Sequence, residues 1–232
     1  MLPLAQVEIQ QRTGDTCEAD NGFCPDWIAD NFDRYVDPFF EHAYLTVVSV
    51  SIGFLIAFAL ALLAHRQRWL IAPIGGVTQV LYTVPSIAAF FLLQPITGRG
   101  NLTAIVALVA YTLLIFFRTI TTGLTGVSED AKDAARGMGL TDWQMLWKVE
   151  IPLAMPEILA GLRIATTTTV GLAALAFFAG GGGLGAQIDA DIFYKSNVVV
   201  AGGLTVFLAA FFDLLILGVQ RVALPWRRVQ PA

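Results

Sequence analysis

Five long apolar runs decide what this chain can fold into. An α-helix needs about 20 mostly apolar residues to cross the roughly 30 Å hydrocarbon core of a bilayer. The mean hydropathy is +0.67, and 14% of the residues are charged, against about 25% in soluble domains. The sequence therefore predicts an all-α membrane protein with about five transmembrane helices. The runs cover residues 43–64, 70–96, 102–124, 158–178 and 198–219.

The second run predicts a kinked span, because it contains Pro73, Gly75, Gly76 and Pro85. Proline removes a helical hydrogen bond, and inside a bilayer neighbouring helices must satisfy the freed backbone groups. We therefore expect a packed bundle.

The positions of lysine and arginine predict how the bundle lies in the membrane. Ten of the 14 basic residues lie in three regions: the turn directly after the first run, the middle segment with its flanks, and the tail. With five spans, all three regions lie on the same side of the membrane. Basic residues mark the cytoplasmic side, so the N-terminus is expected outside and the C-terminus inside. The predicted parts are an exterior acidic segment (1–41), a transmembrane domain (42–220) with a cytoplasmic loop (127–157), and a cytoplasmic tail (221–232).

The first 44 residues are acidic, with nine aspartates and glutamates against two arginines. The chain start lacks a basic region followed by a long apolar core, so we expect no cleaved signal peptide and a first span that serves as the anchor. A short helix at the membrane interface is favoured by the spacing of five apolar residues, and a loosely ordered tail is the alternative. These residues are Trp27, Ile28, Phe32, Tyr35 and Val36.

Cys17 and Cys24 are the two cysteines of the chain. Thiols so close in sequence on the oxidising side of a membrane usually pair, so we expect a disulfide. His42 and His65 are distant from both cysteines, and each stands at the edge of a predicted span, where we expect an interfacial role. No metal site and no cofactor are predicted.

A charged segment, residues 129–156, interrupts the apolar chain and predicts two helices joined by a turn. Ser128 caps the first helix, and Glu129 and Asp130 favour the positive end of its dipole. Gly139 ends that helix.

Thr141 and Gln144 predict a capping box for the second short helix, and Pro152 is expected to close it. One face of this helix presents three apolar side chains, which either contact a partner or pack on the bundle or the lipid. They are Trp143, Leu146 and Trp147.

The same segment resembles the EAA loop of ABC importer permeases, with the pattern E-A-A-x3-G-x9-I-x-L-P. In that family the loop is the coupling helix that docks in a cleft of the ATPase subunit. Asp for Glu, Val for Ile and Ile for Leu are the three departures, and all keep charge or apolar character. The matching residues are Asp133, Ala134, Ala135, Gly139, Val149, Ile151 and Pro152. The resemblance implies ATPase contact through this motif together with Met138, Leu140, Thr141 and Trp143.

The resemblance extends over residues 27–228 and is nearest to the osmoprotectant (glycine betaine, carnitine, choline) branch. It is carried by YTVPSIAAFFLL at 82–93, by residues 134–166, and by LAALAFFAGGGGLG at 172–185. It implies a MetI-like permease fold in the bacterial inner membrane and a non-catalytic chain. The implied partners are ABC ATPase subunits, an identical or different second permease chain, an exterior solute-binding protein and membrane lipid, whereas nucleic acid is not expected.

A quaternary ammonium cannot be deprotonated, so its path requires aromatic faces or weak polar contacts. Groups of this kind cluster beside a proline in the second span, although ordinary helix packing explains them as well. They are Tyr82, Thr83, Pro85 and Ser86, with Phe90 and Phe91 beyond them.

Two polar features lie within the later spans. Thr167 and Thr168 belong to a run of four threonines that either lines a path or hydrogen-bonds to carbonyls one turn back. Asp213 is an intramembrane carboxylate, for which we expect a structural role in packing or gating. Its possible ion-pair partners are Arg118, Arg163 and Arg221.

The glycine run at 180–185 lacks the lysine of a phosphate-binding loop, so this chain should not bind ATP. Its glycines would let the chain turn and fold residues 186–196 back near the pore mouth, and a flexible loop is the alternative.

The leading hypothesis is the membrane subunit of an ATP-driven importer for a quaternary-ammonium compatible solute. An ABC permease for another small solute, such as an amino acid, is the nearest alternative. A self-contained secondary transporter would want an inverted repeat, and a membrane enzyme would need a convergent nucleophile, base and acid. The sequence offers neither pattern.

The predicted orientation can be checked by labelling thiols. After reduction, Cys17 and Cys24 should react with a membrane-impermeant maleimide on cells whose outer barrier has been opened, because both lie on the exterior side. Labelling that appears only after the inner membrane is lysed would reverse the orientation.

Overall fold

The structure is a computed structural model that describes residue 17 and residues 21–224. All regular elements in this part of the chain are helical. The α-helices are α1 (Pro25–Asp30), α2 (Val36–Arg66), α3 (Ile71–Thr83), α4 (Ser86–Thr97), α5 (Asn101–Thr125), α6 (Glu129–Gly137), α7 (Asp142–Met145), α8 (Ile151–Ala173), α9 (Leu184–Ala190) and α10 (Lys195–Ala223). Most of the predicted tail and all four acidic residues before Asn21 lie outside the described residues.

Three of the described helices are long and apolar enough to cross a membrane alone. They are α5, α10 and the stretch Phe32–Arg66, which includes α2. The pair α3 and α4 gives a fourth if the two count as one broken span. The predicted span 158–178 corresponds to α8, which begins earlier, ends at Ala173 and carries Glu157 and Arg163. The all-α membrane architecture is confirmed, whereas the count of five spans is not.

The second predicted span is broken rather than kinked, since α3 and α4 meet at an angle of 99°. Only Pro85 causes the break, because Val84 before it is extended, as a residue before proline prefers. Pro73 lies in the first turn of α3, where no helical hydrogen bond is lost. The expectation that Gly75 and Gly76 help to bend the span is therefore wrong.

Helix α5 lies at the centre of the bundle and packs against α2, α3, α4 and α8. Two glycines let its neighbours approach closely. A Cβ atom on Gly53 of α2 would overlap the side chain of Thr112, and one on Gly161 of α8 would overlap that of Thr119. These two contacts hold α2 and α8 against the central helix.

The interior contains two apolar clusters, one toward each end of the bundle. We call the end that carries residues 126–150 the loop end and the end that carries Cys17 and Cys24 the disulfide end. Phe116, Phe117 and Ile120 belong to the loop-end cluster, and Phe90 belongs to the other. Because Phe90 is fully buried, helix packing is the alternative that holds for it, and it does not line a solute path.

The segment before α2 docks on the start of α10. Cys17 and Cys24 form a disulfide, with Cα atoms 5.8 Å apart. The backbone N–H of Cys24 donates to Ser196 Oγ at 2.9 Å, and the Tyr35 hydroxyl donates to Asn197 Oδ1 at 2.8 Å. The predicted single interfacial helix is thus divided into α1 and a 3-10 turn, and Tyr35 is buried against protein because it has this partner.

The glycine run forms an ordered turn at the disulfide end. Gly180 and Gly183 have φ of +80° and +89°, which only glycine adopts freely. Glu41 accepts hydrogen bonds from the Asn101 side chain at 2.7 Å and from the backbone N–H of Gly183 at 3.1 Å. Helix α9 then folds back and packs on α10.

His42 is fully buried beneath this turn, so the expectation of an interfacial role is wrong for it. Its Nε2 lies 2.9 Å from the carbonyl of Val170, and its Nδ1 accepts from the N–H of Leu184 at 3.3 Å. These two contacts fix the neutral tautomer protonated on Nε2. The ring thereby joins α2, α8 and α9.

Candidate functional site

The loop between α5 and α8 begins with a capped helix. The Ser128 side chain accepts from the N–H of Ala131, as the sequence predicts. The N–H groups of Gly139 and Leu140 bond to the carbonyls of Arg136 and Ala135 at 2.9 and 3.2 Å. This is a Schellman arrangement, and it requires the φ of +78° at Gly139.

The second helix begins with the predicted capping box. The N–H of Gln144 donates to Thr141 Oγ1 at 3.3 Å, and the N–H of Thr141 donates to Gln144 Oε1 at 3.0 Å. Two backbone donors at the helix start are therefore satisfied locally, which fixes the direction of α7.

Pro152 does not close this helix, contrary to the prediction. Helix α7 continues through one π-helical turn, Leu146–Glu150, into α8, so the chain is helical from Asp142 to Ala173. The N–H of Ile151 bonds to the carbonyl of Leu146, five residues back. The wider turn stands just where Pro152 offers no donor, so the helix passes the proline without a break.

The residues implied in partner contact lie mostly on the open surface of the loop. Asp133, Ala134 and Gly139 are exposed, as is Thr141. Met138 is 72% exposed and Trp143 55%, which are high values for large apolar side chains. Three of the implied residues are less accessible. Ala135 is 1% exposed, and Leu140 and Pro152 are half-buried.

Buried groups on the other side of the loop fix it to the bundle. Met145, Leu146 and Glu150 are each less than 7% exposed. The carboxylate of Glu150 lies 2.6 Å from Nε2 of His65 at the end of α2. The loop is therefore held by the first long helix as well as by α8.

Two aromatic contacts continue this attachment. The guanidinium of Arg66 lies 5.5 Å from the ring centroid of Trp143, within cation–π range. The ring of Trp147 contacts that of Trp143 at 5.4 Å and that of Phe58 at 6.3 Å. Both predicted alternatives therefore apply to this face: Leu146 packs on the bundle, while Trp143 and Trp147 remain partly exposed to a partner.

A cleft of about 450 Å³ opens between the end of α2 and the loop. Its lining includes four basic side chains and three acidic ones. The Lys132 ammonium donates to Glu129 at 2.9 Å, and this hydrogen bond lowers the pKa of the Glu129 carboxyl. The charged lining consists of Arg66, Arg68, Lys132, Arg136, Glu129, Asp142 and Glu150, with His65.

The residues proposed for a path in the second span surround the break at Pro85. Tyr82 and Thr83 are exposed, and Ser86 is half-buried at the start of α4. The ring of Tyr82 contacts that of Tyr111 on α5 at 6.0 Å. No sequence pattern marks Tyr111, whose hydroxyl donates to the carbonyl of Val84 at 2.6 Å and satisfies the backbone at the break.

The threonine side chains at 166–169 hydrogen-bond mainly to the backbone of their own helix. The hydroxyls of Thr166, Thr167 and Thr169 donate to carbonyls four residues back at 2.7 to 2.9 Å. Thr166 and Thr169 are buried, whereas Thr167 and Thr168 are half-buried. Only the latter two therefore lie where they can contact a solute.

Asp213 pairs with Arg163, one of its three candidate partners. Nε and Nη2 of Arg163 donate to the two carboxylate oxygens, each at 2.8 Å. Arg118 instead donates to Gln79 of α3 at 2.6 Å. The bidentate pair connects α8 and α10.

Sequence patterns did not reveal several of these contacts. Glu150 with His65, Arg66 with Trp143, and Glu41 with the glycine run join residues that are far apart in the chain. The charged residues at the ends of the apolar runs were the available signal, since charges at such positions need polar partners.

Comparison with known proteins identifies the same family as the sequence motif. Residues 49–224 match the family described as "Binding-protein-dependent transport system inner membrane component". The chain is 34% identical over 187 residues to the glycine betaine/carnitine/choline transport system permease protein OpuCB of Bacillus subtilis, covering 80% of this chain and 86% of that one. It is also 34% identical to the osmoprotectant import permease protein OsmW of Salmonella typhimurium, covering 86% and 96%.

Solved structures share the fold. The chain is similar to the MetNI methionine ABC transporter in an inward-facing conformation, with a TM-score of 0.70 at 24% identity, covering 85% of this chain and 96% of that one. It is also similar to an amino acid ABC transporter, with a TM-score of 0.67 at 19% identity, covering 82% and 96%.

The turn at Gly139 can be tested with a matched pair of glycines. Gly139→Val places a β-branched residue at φ +78°, which costs on the order of 1–3 kcal/mol. We expect amide hydrogen exchange at residues 138–141 to accelerate by about tenfold or more. Gly137→Val is the control, because Gly137 has ordinary helical φ and no atom within 4 Å of its Cβ position. Equal exchange in both variants would contradict the assignment of the turn.

Proposed function

The chain belongs to the family of binding-protein-dependent transport system inner membrane components, and we propose that it forms the solute path of an ATP-driven importer for quaternary-ammonium compatible solutes. As a permease component it lies in the membrane and leaves ATP hydrolysis to a separate subunit. The observation that carries the proposal is the loop of residues 129–150, which presents exposed apolar side chains on a rigidly attached helix.

The composition of the loop surface supports a role in docking to an ATPase. Met138 and Trp143 are large apolar groups turned outward, flanked by the charged residues Asp133 and Asp142. An exposed apolar patch with a polar rim is typical of a protein interface. Because the helix that bears Trp143 continues into α8, a movement of the docked ATPase would be passed directly into the membrane domain.

The solute class is supported by the relatives. Their names include glycine betaine, carnitine and choline, each a solute with a quaternary ammonium group. Tyr82, beside the open break at Pro85, offers an aromatic face of the kind that attracts such a cation. We propose shallow contacts of this kind in the permease and a tighter site in the separate solute-binding protein.

The proposed assembly contains two permease chains, two ATPases and an exterior binding protein. In this arrangement the loop end faces the cytoplasm and the disulfide end faces outward. Support comes from the basic residues near the loop end, since Arg66, Arg68, Lys132 and Lys148 all lie there, as expected for a cytoplasmic surface.

Removal of the Trp143 ring tests the docking surface. Trp143→Ala should reduce co-purification of the ATPase subunit by about tenfold or more, because large apolar side chains at an interface centre carry much of the binding energy. Trp69→Ala is the matched control, since Trp69 is 72% exposed at the same end but lies outside the loop. Equal ATPase recovery from Trp143→Ala, Trp69→Ala and the unmodified chain would contradict the assignment.

Uptake of radiolabelled solutes tests the substrate class. Cells with the complete transporter should accumulate glycine betaine, choline or carnitine at least about tenfold faster than cells that lack this chain, given that the permease is the only route provided. The comparison should be made at low and high osmolarity. Accumulation of an amino acid, a metal ion or an oxyanion instead would refute the solute class.

A further inference from the structure

The ion pair of Arg163 and Asp213 lies far from the ends of α8 and α10, on the surface of the bundle. Asp213 stands ten residues before the end of α10 at Ala223, about 15 Å along a helix that rises 1.5 Å per residue. Both carboxylate oxygens and two guanidinium nitrogens are used in the pair. The two charged groups therefore form a bidentate ion pair.

Despite this pairing, the two side chains are not enclosed. The side chain of Arg163 is 34% exposed and that of Asp213 is 30% exposed. Exposed charge at such depth is very unfavourable against lipid, so charged side chains within membrane helices face a water-filled cavity or another protein chain. The open side of the pair consequently points away from the hydrocarbon.

The surface of α8 beside the pair is partly polar. On α8, the exposed or half-buried stripe runs through Glu157, Ala160, Ile164, Thr167 and Gly171, at helical spacings of three and four. Arg163 borders this stripe, and the Thr167 hydroxyl bonds to its carbonyl at 2.9 Å. Apart from Ile164, its members are a carboxylate, a hydroxyl and two small residues, which fit a polar path better than a lipid surface.

We propose that the pair faces the solute path and that Asp213 sets the charge preference of the permease, an inference that rests on the proposed function. Arg163 alone would repel a solute with a fixed ammonium charge. Asp213 neutralises it, so a cation or a zwitterion passes without a positive barrier. Asp213 is accordingly a specificity-determining residue as well as a link between α8 and α10.

The first experiment measures charge at the path without relying on transport. Ile164, 53% exposed beside Arg163, is replaced by cysteine, and reaction with a trimethylammonium methanethiosulfonate is compared with reaction with a sulfonate reagent. Asp213→Asn should lower the cation-to-anion rate ratio about five- to tenfold, and Arg163→Gln should raise it by a similar factor. The exchanged pair, Arg163→Asp with Asp213→Arg, should keep the original ratio, which guards against variants that fail to fold. Leu55→Cys, 66% exposed within α2, is the control expected to be unreactive.

The second experiment measures solute choice in the complete transporter. Asp213→Asn should lower the choline-to-betaine uptake ratio about five- to tenfold, because choline is a cation and betaine is a zwitterion. A purely structural pair would reduce the uptake of both solutes equally and leave the ratio unchanged, which would overturn the inference.

The two experiments separate the inference from the function on which it rests. A cysteine at 164 that no reagent reaches, in a transporter that imports betaine and choline, overturns the inference and leaves the proposed function standing. A charge-dependent rate ratio at 164, in a transporter that imports neither solute, supports the path assignment and refutes the solute class.

Discussion

One uninterrupted helical segment, from Asp142 in the charged loop to Ala173 within the bundle, determines how the rest of the molecule is arranged. Its start is fixed by the capping box, and its middle is pressed against α5 where Gly161 meets Thr119. Its far half is joined to α10 by the bidentate contact from Arg163. The loop surface and the membrane domain therefore belong to one mechanical element, with the π-helical turn as the place where its geometry changes.

Charged residues at both ends of the bundle fix the segments that connect the helices. At the loop end, His65 and Arg66 on α2 contact Glu150 and Trp143 on the loop, so the end of α2 holds the loop through two contacts. At the disulfide end, Glu41 holds the turn formed by the glycine run. Glu150 is buried and Glu41 is half-buried, and each carboxylate contacts a group from a distant element, as an acid removed from water requires.

Much of the structure of the charged loop could be predicted from short sequence patterns. The caps at Ser128 and Thr141, and the turn at Gly139, follow from short-range hydrogen bonding that a sequence pattern encodes directly. The family was likewise predictable from the motif in residues 133–152. Pro152 was misinterpreted because a proline normally stops a helix, and the compensating π-helical turn leaves no sequence signature.

Other features depend on tertiary contacts and could not be predicted. His42 stands at the edge of an apolar run, but its burial depends on the glycine turn folding over it. The choice of Arg163 rather than Arg118 or Arg221 for Asp213 depends on how α8 and α10 cross. A sequence gives the candidates for such contacts, whereas packing decides among them.

The continuous helix predicts that the loop and α8 move as one body during the transport cycle of the proposed assembly. Spin labels at positions 142 and 164, placed in one chain of the assembled transporter, measure this directly by double electron–electron resonance. A continuous helix predicts a separation of about 33 Å between the two backbone positions that stays constant with and without nucleotide. A change of several ångströms between those states would show that the π-helical turn acts as a hinge and would contradict the account.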